Sequence, residues 1–206
     1  KEGIVYYRTI MAGGTSVVSC GNAVRSLENK FKKLGIDLKK EFRQTERELG
    51  VKRVPPKFLG PATRRIMQAA KKIVIKMVPM PKLINFKKCV SCGNCVVGCL
   101  TGAKWSALNP LKEAQKRGAA LITGMNVTKV LISQGRAFGI EGFDSHGKKI
   151  QFFANKVILA AGGLGTPVIL QNSKIKAGRK LFLDLFTVTI GLSKDSGLAK
   201  ELTMAA

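Results

Sequence analysis

Four cysteines fall within eleven residues of this chain, and they constrain its local fold more tightly than any other feature. Cys89, Cys92, Cys95 and Cys99 are spaced C-x2-C-x2-C-x3-C. Two-residue gaps on a loop allow successive thiolates to wrap one inorganic core, as in bacterial ferredoxins. Gly93 and Gly98 allow the backbone to stay close to that core. The spacing predicts an iron-sulfur cluster of the 4Fe-4S type.

The identity of the fourth ligand stays open at this point. In two-cluster ferredoxins the fourth cysteine of such a run serves the other cluster, and this chain has no second run. Either Cys99 bends back or Cys20 completes the set. Zinc, disulfides and unliganded thiols are the alternatives, although structural zinc sites usually take two separated pairs. Clustered thiols without a secretory signal indicate a reducing, cytoplasmic location.

The composition predicts a chain with a real core and no membrane span. It has 206 residues, of which 45% are hydrophobic, and no apolar run reaches the roughly 18 residues of a spanning helix. The net charge of +24 raises the question of nucleic acid binding. However, the basic residues are scattered as Lys-Lys pairs without interleaved aromatics, which disfavours that function. An acidic redox partner suits a basic face equally well.

The amino-terminal residues predict a strand, a small-residue loop and a helix. IVYYRTIM is rich in β-branched and aromatic residues, GGTSVVSCGN follows, and AVRSLENKFKKLG has helical spacing that ends at Gly35. Backbone N–H groups in such a loop can cradle a phosphate or a ring. The same loop is also typical of an ordinary flexible turn.

The middle of the chain predicts a connector and two helices. Residues 37–57 are charged and end in Val54-Pro55-Pro56, which predicts an irregular segment. A helix is expected to start at Pro61, with Ile66, Ala69, Ala70 and Ile73 on its apolar face. After the cysteines, NPLKEAQKRG predicts a compact helix with Asn109 as its cap.

Five extended runs then predict a sheet. The runs are AALIT, VTKVLIS, RAFGIEGF, KKIQFFA and KVILAAG. The middle three are expected to form an antiparallel meander inserted between two strands of a larger α/β sheet. The fifth is nearly all apolar, as a buried parallel strand should be, and leads into a glycine turn that opens a helix. His146 lies in a turn and is predicted to be solvated.

In this order, three segments resemble the glucose-methanol-choline (GMC) flavoprotein oxidoreductases. Gly13-Gly14-Thr15-Ser16 through Arg25 resembles the family's flavin loop. Cys89 through Lys104 resembles its C-G-x-C-x2-G-C-x2-G-A-K loop, and GRAFGIE through VILAAGGLGTPVILQNS resembles its later glycine segments. The resemblance covers most of residues 10–192.

The resemblance implies an FAD-binding, Rossmann-like α/β sheet with an inserted antiparallel meander, and it implies the residues that bind FAD. Gly13 to Ser16 would lie near the pyrophosphate and the isoalloxazine, Val127 would contact adenine through its backbone, and Gly162 and Gly163 would close the nucleotide pocket. The complete set is Gly13, Gly14, Thr15, Ser16, Ser19, Val127, Gly162 and Gly163.

The chain departs from the family pattern at several positions. Ser19 stands where the family usually has Asn, Leu100 replaces a proline, and Lys174 replaces a glycine. Asp184-Leu185 replaces a His-Pro pair. No G-x-G-x-x-G occurs, so the family's opening motif is expected before Lys1 and its substrate half after Ala206. The fold is therefore expected to be incomplete, and no catalytic base can be named.

The predicted organisation follows from these segments. Residues 1–36 would form the flavin loop and helix, 37–106 the connector, helix and cysteine loop, 107–192 the α/β part with the meander, and 193–206 the start of a substrate domain.

The resemblance implies an FAD-dependent dehydrogenase acting on a small alcohol-type CH–OH donor, with the cluster passing electrons to a redox partner. This portion alone is expected to be inactive. The alternatives are a ferredoxin-like electron-transfer subunit without its own catalysis and a basic nucleic-acid-binding module.

Overall fold

The computed structural model describes residues 9–182 and 200–206. The chain divides into two compact units, Lys1–Ala119 with Leu192–Ala206, and Ala120–Gly191. We call them the first and second units. The predicted strand IVYYRTIM lies largely outside the described residues, and Asp184-Leu185 lies wholly outside them. The domain boundaries expected from the sequence remain predictions. Within the described residues, no helix is long and apolar enough to cross a membrane.

The described residues of the first unit form four helices and a small antiparallel pair of strands. The helices are α1 (Glu28–Lys33), α2 (Lys39–Glu48), α3 (Pro61–Lys72) and α4 (Leu108–Lys116), and the strands are β1 (Lys52–Arg53) and β2 (Pro81–Lys82). Short 3-10 helices span Gly14–Val17, Pro56–Phe58 and Asn94–Val97.

Helix α2 corrects the expectation that residues 37–57 are irregular. The segment is rich in Lys, Arg, Glu and Gln, which are strong helix formers even where no apolar face exists. The Asp37 carboxylate accepts a hydrogen bond from the Lys39 N–H at 3.0 Å, so it caps the first turn. The prediction of an irregular segment was therefore wrong for Lys39–Glu48, because a high density of charged residues does not exclude a helix.

Helices α3 and α4 form close to where they are predicted. Pro61 begins α3. On its expected apolar face Ala70 is buried, whereas Ile66 and Ile73 are 56% and 67% exposed. Helix α4 begins one residue before Asn109, which instead accepts a hydrogen bond from the Ser106 N–H.

The core of the first unit gathers residues from distant parts of the chain. Its buried members are Val54, Ile84, Cys95, Ala103, Leu202 and Ala205. Cys89 and Cys99 pack against this core. Residues 200–206 enter it directly, because Met80 N–H donates to the Ala205 carbonyl at 2.9 Å. The cysteine loop is therefore part of the hydrophobic centre of the unit.

In the second unit, the residues up to Phe182 form a three-stranded meander with one helix. Strands β3 (Met125–Ser133), β4 (Arg136–Asp144) and β5 (Lys149–Phe153) pair antiparallel in that order, and α5 (Gly162–Asn172) packs on β3. The Gln134-Gly135 turn has positive φ at both residues, as a two-residue hairpin needs. The predicted meander is thus confirmed.

Two predicted strands do not form. AALIT, residues 119–123, and KVILAAG, residues 156–162, have no strand assignment, and Ile158 is 89% exposed. An apolar parallel strand needs a neighbour on each side, and the described residues pair none with these segments. The observed architecture is a mixture of helices and small antiparallel sheets, which is consistent with an α/β class.

Candidate functional site

The glycine loop, residues 13–22, is held in a single shape by hydrogen bonds from within and from α4. Gly13 has φ of 84°, in the left-handed region, and precedes the Gly14–Val17 turn. The Ser16 hydroxyl donates to the Gly13 carbonyl at 2.6 Å and accepts from the Ala107 N–H at 2.8 Å. Thr15 is exposed, and a Cβ at Gly14 would meet no atom within 4 Å. The loop is rigid and its outer surface is open.

The cysteine loop, residues 89–105, folds around one small cavity. Gly93 and Gly98, with φ of 77° and 110°, flank the Asn94–Val97 turn and reverse the chain direction. The four cysteines Cys89, Cys92, Cys95 and Cys99 all line the cavity, together with Ile84, Ala103, Lys104 and Leu202. Cys20 does not line it. All five thiols are free.

The cysteines of this cavity are not arranged as a metal site. In the part of the chain that the structure describes, no three Cys, His, Asp or Glu side chains are placed so that they could hold a metal ion. The cysteines line a space of about 20 Å³. In a 4Fe-4S core each thiolate binds a different iron, so the sulfurs encircle the core. Such a core is larger than this space, so the thiols as placed do not accommodate it.

Two thiols have pKa values shifted in opposite directions. Burial raises the pKa of the Cys89 thiol, against an opposing hydrogen bond from Ser91 N–H. At Cys99 burial also acts to raise the pKa, but hydrogen bonds from the Thr101 hydroxyl and from backbone N–H groups outweigh it and leave the pKa lowered. One of these donors is the Lys104 N–H, 3.3 Å from Cys99 Sγ. The loop thus stabilises negative charge at Cys99.

Lys104 joins the cysteine loop to the glycine loop. Its Nζ donates to the Cys95 carbonyl at 2.9 Å, to the Val17 carbonyl at 2.7 Å and to the Ser19 carbonyl at 2.5 Å. A fourth contact reaches the Ser16 carbonyl at 3.3 Å. The side chain is buried, with 5% of the residue exposed. One ammonium group therefore fixes the relative position of the two loops.

Lys82 is a second buried ammonium beside the same loops. Its Nζ donates to Asn22 Oδ1 at 2.7 Å, to the Thr203 carbonyl at 2.6 Å and to the Cys20 carbonyl at 3.1 Å. Burial lowers the pKa of both lysines from the ordinary value for a lysine side chain.

In the second unit, Val127 lies in β3 beside an irregularity in the strand pairing. The register with β4 shifts between Val127 and Lys129, and Gly142 lies opposite Val127. A Cβ at Gly142 would lie 2.3 Å from the Asn126 carbonyl oxygen, so only glycine fits there. Such bulges recur beside binding sites because they change the direction of backbone groups.

Gly162 and Gly163 form the start of α5. A Cβ at either glycine would meet no atom within 4 Å, so the surface there is open. The other end of α5 is fixed to β3, since Asn172 Nδ2 donates to the Thr128 carbonyl at 3.0 Å. Asn172, at that end of the helix, lies about 14 Å along the axis from Gly163 at 1.5 Å per residue.

The structure brings some of the predicted site residues together within each unit. Gly13, Gly14, Thr15, Ser16 and Ser19 lie with the four cysteines in the first unit, and Val127, Gly162 and Gly163 lie in the second. His146 is exposed in its turn, as predicted. The sequence analysis did not identify Lys82, Lys104 and Leu202 as buried residues near these loops. No sequence pattern marks a lysine as buried, and Leu202 lies far along the chain from the cysteines. The Gly-Ala-Lys that ends the cysteine loop was the available signal for Lys104.

Comparison with known proteins gives a consistent family. Residues 4–193 match the GMC oxidoreductase family profile. An uncharacterized GMC-type oxidoreductase of Mycobacterium tuberculosis, found in strains CDC 1551 and H37Rv, is 31% identical over 202 residues, covering 91% of this chain and 32% of the relative. An uncharacterized protein of Methanocaldococcus jannaschii is 32% identical over 194 residues, which cover 93% of this chain and 47% of that protein. The chain thus spans a third to a half of the length of these relatives.

Proposed function

The chain belongs to the GMC oxidoreductase family, and from this premise we propose that it is the FAD-binding portion of a dehydrogenase. The enzyme would take a hydride from a small alcohol-type CH–OH donor and pass electrons singly through a 4Fe-4S cluster to an external acceptor. The observation that carries the cluster is that four cysteines line one cavity. The Lys104 side chain ties that cavity to the glycine loop.

The proposed FAD contacts rest on open backbone surfaces. Bound FAD supplies the hydride acceptor. Gly14 leaves the glycine loop open to a ligand, and the Ser16 hydrogen bonds keep the loop in shape without ligand. The open surface at Gly162 and Gly163, at the start of α5, suits their proposed part in closing the nucleotide pocket. Ser19 uses its hydroxyl within the loop, where it donates to the Ser16 carbonyl.

The proposed cluster ligands are Cys89, Cys92, Cys95 and Cys99. Cys99 is the better fourth ligand than Cys20, because it lines the cavity and accepts hydrogen bonds that favour its thiolate. Cys20 presents its carbonyl to Lys82 instead. A cluster supplies one-electron transfer, which suits an acceptor that takes electrons singly. Cys92 is exposed, so a partner protein could approach that side.

The proposed surroundings follow from charge and redox chemistry. A net charge of +24 favours an acidic redox partner over a neutral one. Free thiols favour the cytoplasm.

The test is anaerobic reconstitution of the full-length protein with iron, sulfide and FAD. We expect about four irons per chain, as a 4Fe-4S cluster requires, together with bound flavin in the absorption spectrum. Cys99→Ala should lose most of the iron, whereas the matched variant Cys20→Ala should retain it. Iron loss in Cys20→Ala with retention in Cys99→Ala would overturn the ligand assignment.

The same experiment separates the remaining functions. Iron without flavin would favour a ferredoxin-like carrier, and flavin without iron would remove the cluster while leaving the oxidoreductase. Absence of both would overturn the proposal. A nucleic-acid-binding module would instead show steeply salt-dependent binding to generic duplex DNA.

A further inference from the structure

Helix α3 ends in a turn that places a valine where glycine is usual. The Val74 N–H donates to the Lys71 carbonyl at 3.2 Å, and the Ile75 N–H donates to the Ala70 carbonyl at 2.9 Å. This pair of hydrogen bonds is the Schellman motif, whose left-handed position normally holds glycine. Here Val74 occupies that position with φ of 61°. A β-branched side chain is disfavoured there, so the chain keeps an apolar residue at a cost in backbone strain.

The side chains around this turn are exposed to water. We call Ile73, Val74 and Ile75 the aliphatic tip; all three are more than half exposed, and Val74 is 93% exposed. Ile66, about two helical turns earlier on the same face of α3, is also exposed. Contiguous aliphatic surface in water is unfavourable, and such surface marks sites of contact with protein or membrane. Strain and exposure therefore coincide at a contact surface.

Exposed lysines flank the aliphatic tip on both sides. They are Lys71, Lys72 and Lys76, in the sequence KKIVIK. No Asp or Glu occurs in residues 49–112. Glu201 contacts α3 at the opposite end, where it caps the first turn. The charge around the tip thus suits a negatively charged surface.

We propose that the aliphatic tip and its flanking lysines bind the surface of an anionic lipid membrane. The aliphatic side chains would enter the boundary between headgroups and acyl chains, while the lysine ammonium groups stay level with the lipid phosphates. Protein interfaces are enriched in aromatic residues, which the tip lacks, whereas acyl chains accept aliphatic side chains in any orientation. The protein would lie on the membrane without crossing it.

This inference goes beyond the proposed oxidoreductase and uses neither its flavin site nor its cysteines. The cytoplasmic leaflet of cell membranes carries anionic lipids, so the surface agrees with the location proposed above.

The test is flotation of the full-length protein with lipid vesicles. One set contains phosphatidylcholine alone, and the other contains phosphatidylcholine mixed with phosphatidylglycerol. We expect binding to the anionic vesicles only, weakened by added salt. Val74→Gly is the decisive variant, because glycine relieves the left-handed strain and removes the apolar side chain. It should unfold at a higher urea concentration than the wild type, yet bind anionic vesicles about tenfold more weakly.

Matched variants separate the tip from the rest of the surface. Ile158→Ser removes an exposed aliphatic side chain of the second unit and should leave vesicle binding unchanged. Lys72→Gln should weaken binding about fivefold, as expected for one lysine at an anionic surface. Lys148→Gln, at an exposed lysine of the second unit, should have no such effect.

Three results would overturn the inference. They are wild-type vesicle binding by Val74→Gly, equal binding of the wild type to both vesicle types, and no vesicle binding at all. In the last case, a dimer that dissociates in Val74→Gly on size-exclusion chromatography would assign the tip to a second copy instead. None of these results changes the iron or flavin content, so the proposed function is tested separately.

Discussion

Gly13 combines a left-handed backbone with close packing on both sides. A Cβ there would lie 2.7 Å from Val17 Cγ2 and 2.8 Å from Leu108 Cγ. We expect Gly13→Ala to destabilise the protein by about 2–5 kcal/mol, the sum of left-handed strain and overpacking. Gly14→Ala is the matched control: its φ is also positive but the space is open, so only the backbone strain of about 1–2 kcal/mol applies. Urea unfolding of both variants checks the prediction, and equal losses would contradict it.

Single residues also show where sequence reasoning stops. The tight shape of the cysteine loop could be predicted, because Gly93 and Gly98 are residue types that such a reversal of the chain requires. The position of Lys82 could not, since its burial depends on Asn22 and Thr203, which are 60 and 121 positions away in the chain. The sequence likewise does not show that Cys99 lines the cavity whereas Cys20 does not.

At the scale of elements, sequence patterns gave correct predictions where an element forms its hydrogen bonds with residues nearby in the chain. The meander was predicted because its turns and alternation are encoded within 29 residues, from Met125 to Phe153. The apolar run at 156–162 was predicted as a strand and is not one. Its pairing depends on other strands, and the described residues supply none. Helix α2 was missed for the opposite reason, because its charged residues favour helix without a buried face.

Glu141 links all three strands of the meander through charge. Its carboxylate lies 3.1 Å from Lys129 Nζ and 3.2 Å from Lys149 Nζ, and it accepts from Gln151 Nε2 at 2.7 Å. These contacts, the Gln151 hydrogen bond first, lower the pKa of Glu141 from 4.5 to about 2. A carboxylate with a lowered pKa stabilises the fold above pH 4.5, and this contribution is lost as the pH falls towards 2.

We therefore expect Glu141→Gln to make the free energy of unfolding depend less steeply on pH at acidic pH. The variant should be less stable than the wild type near neutral pH, and the difference should shrink between about pH 4.5 and 2. Thermal unfolding across that range is the measurement. Glu113→Gln, which removes a carboxylate from an exposed pair with Lys116, should keep the wild-type slope. A constant difference across the range for Glu141→Gln would contradict the prediction.

At the scale of the whole molecule, the first unit is built from residues that precede the second unit in the chain and from residues that follow it. Glu201 accepts hydrogen bonds from the Ala62 N–H, the Thr63 N–H and the Thr63 hydroxyl. It therefore caps α3, whose first turn contains no acidic residue of its own. No local pattern predicts a cap that comes from 138 residues away. The family could be predicted, by contrast, because its motifs keep their order along the chain.

Loss of this cap should weaken the first unit. We expect Glu201→Ala to lower the free energy of unfolding by about 1 kcal/mol, as for a lost helix cap. Glu113→Ala, at an exposed carboxylate, should cost less than about 0.5 kcal/mol. Denaturant unfolding measures both. Equal effects would show that Glu201 does not stabilise α3.

The seating of residues 200–206 in the first unit also sets an order of events during synthesis. Leu202 closes one wall of the cysteine cavity, and Thr203 Oγ1 donates to the Gly93 carbonyl at 2.8 Å. The ribosome makes those residues about a hundred positions after the cysteines, which is roughly 5–20 seconds at typical elongation rates. Until then the nascent thiols lack their apolar cover. Iron delivery to the proposed cluster would have that interval in which to act before the wall closes.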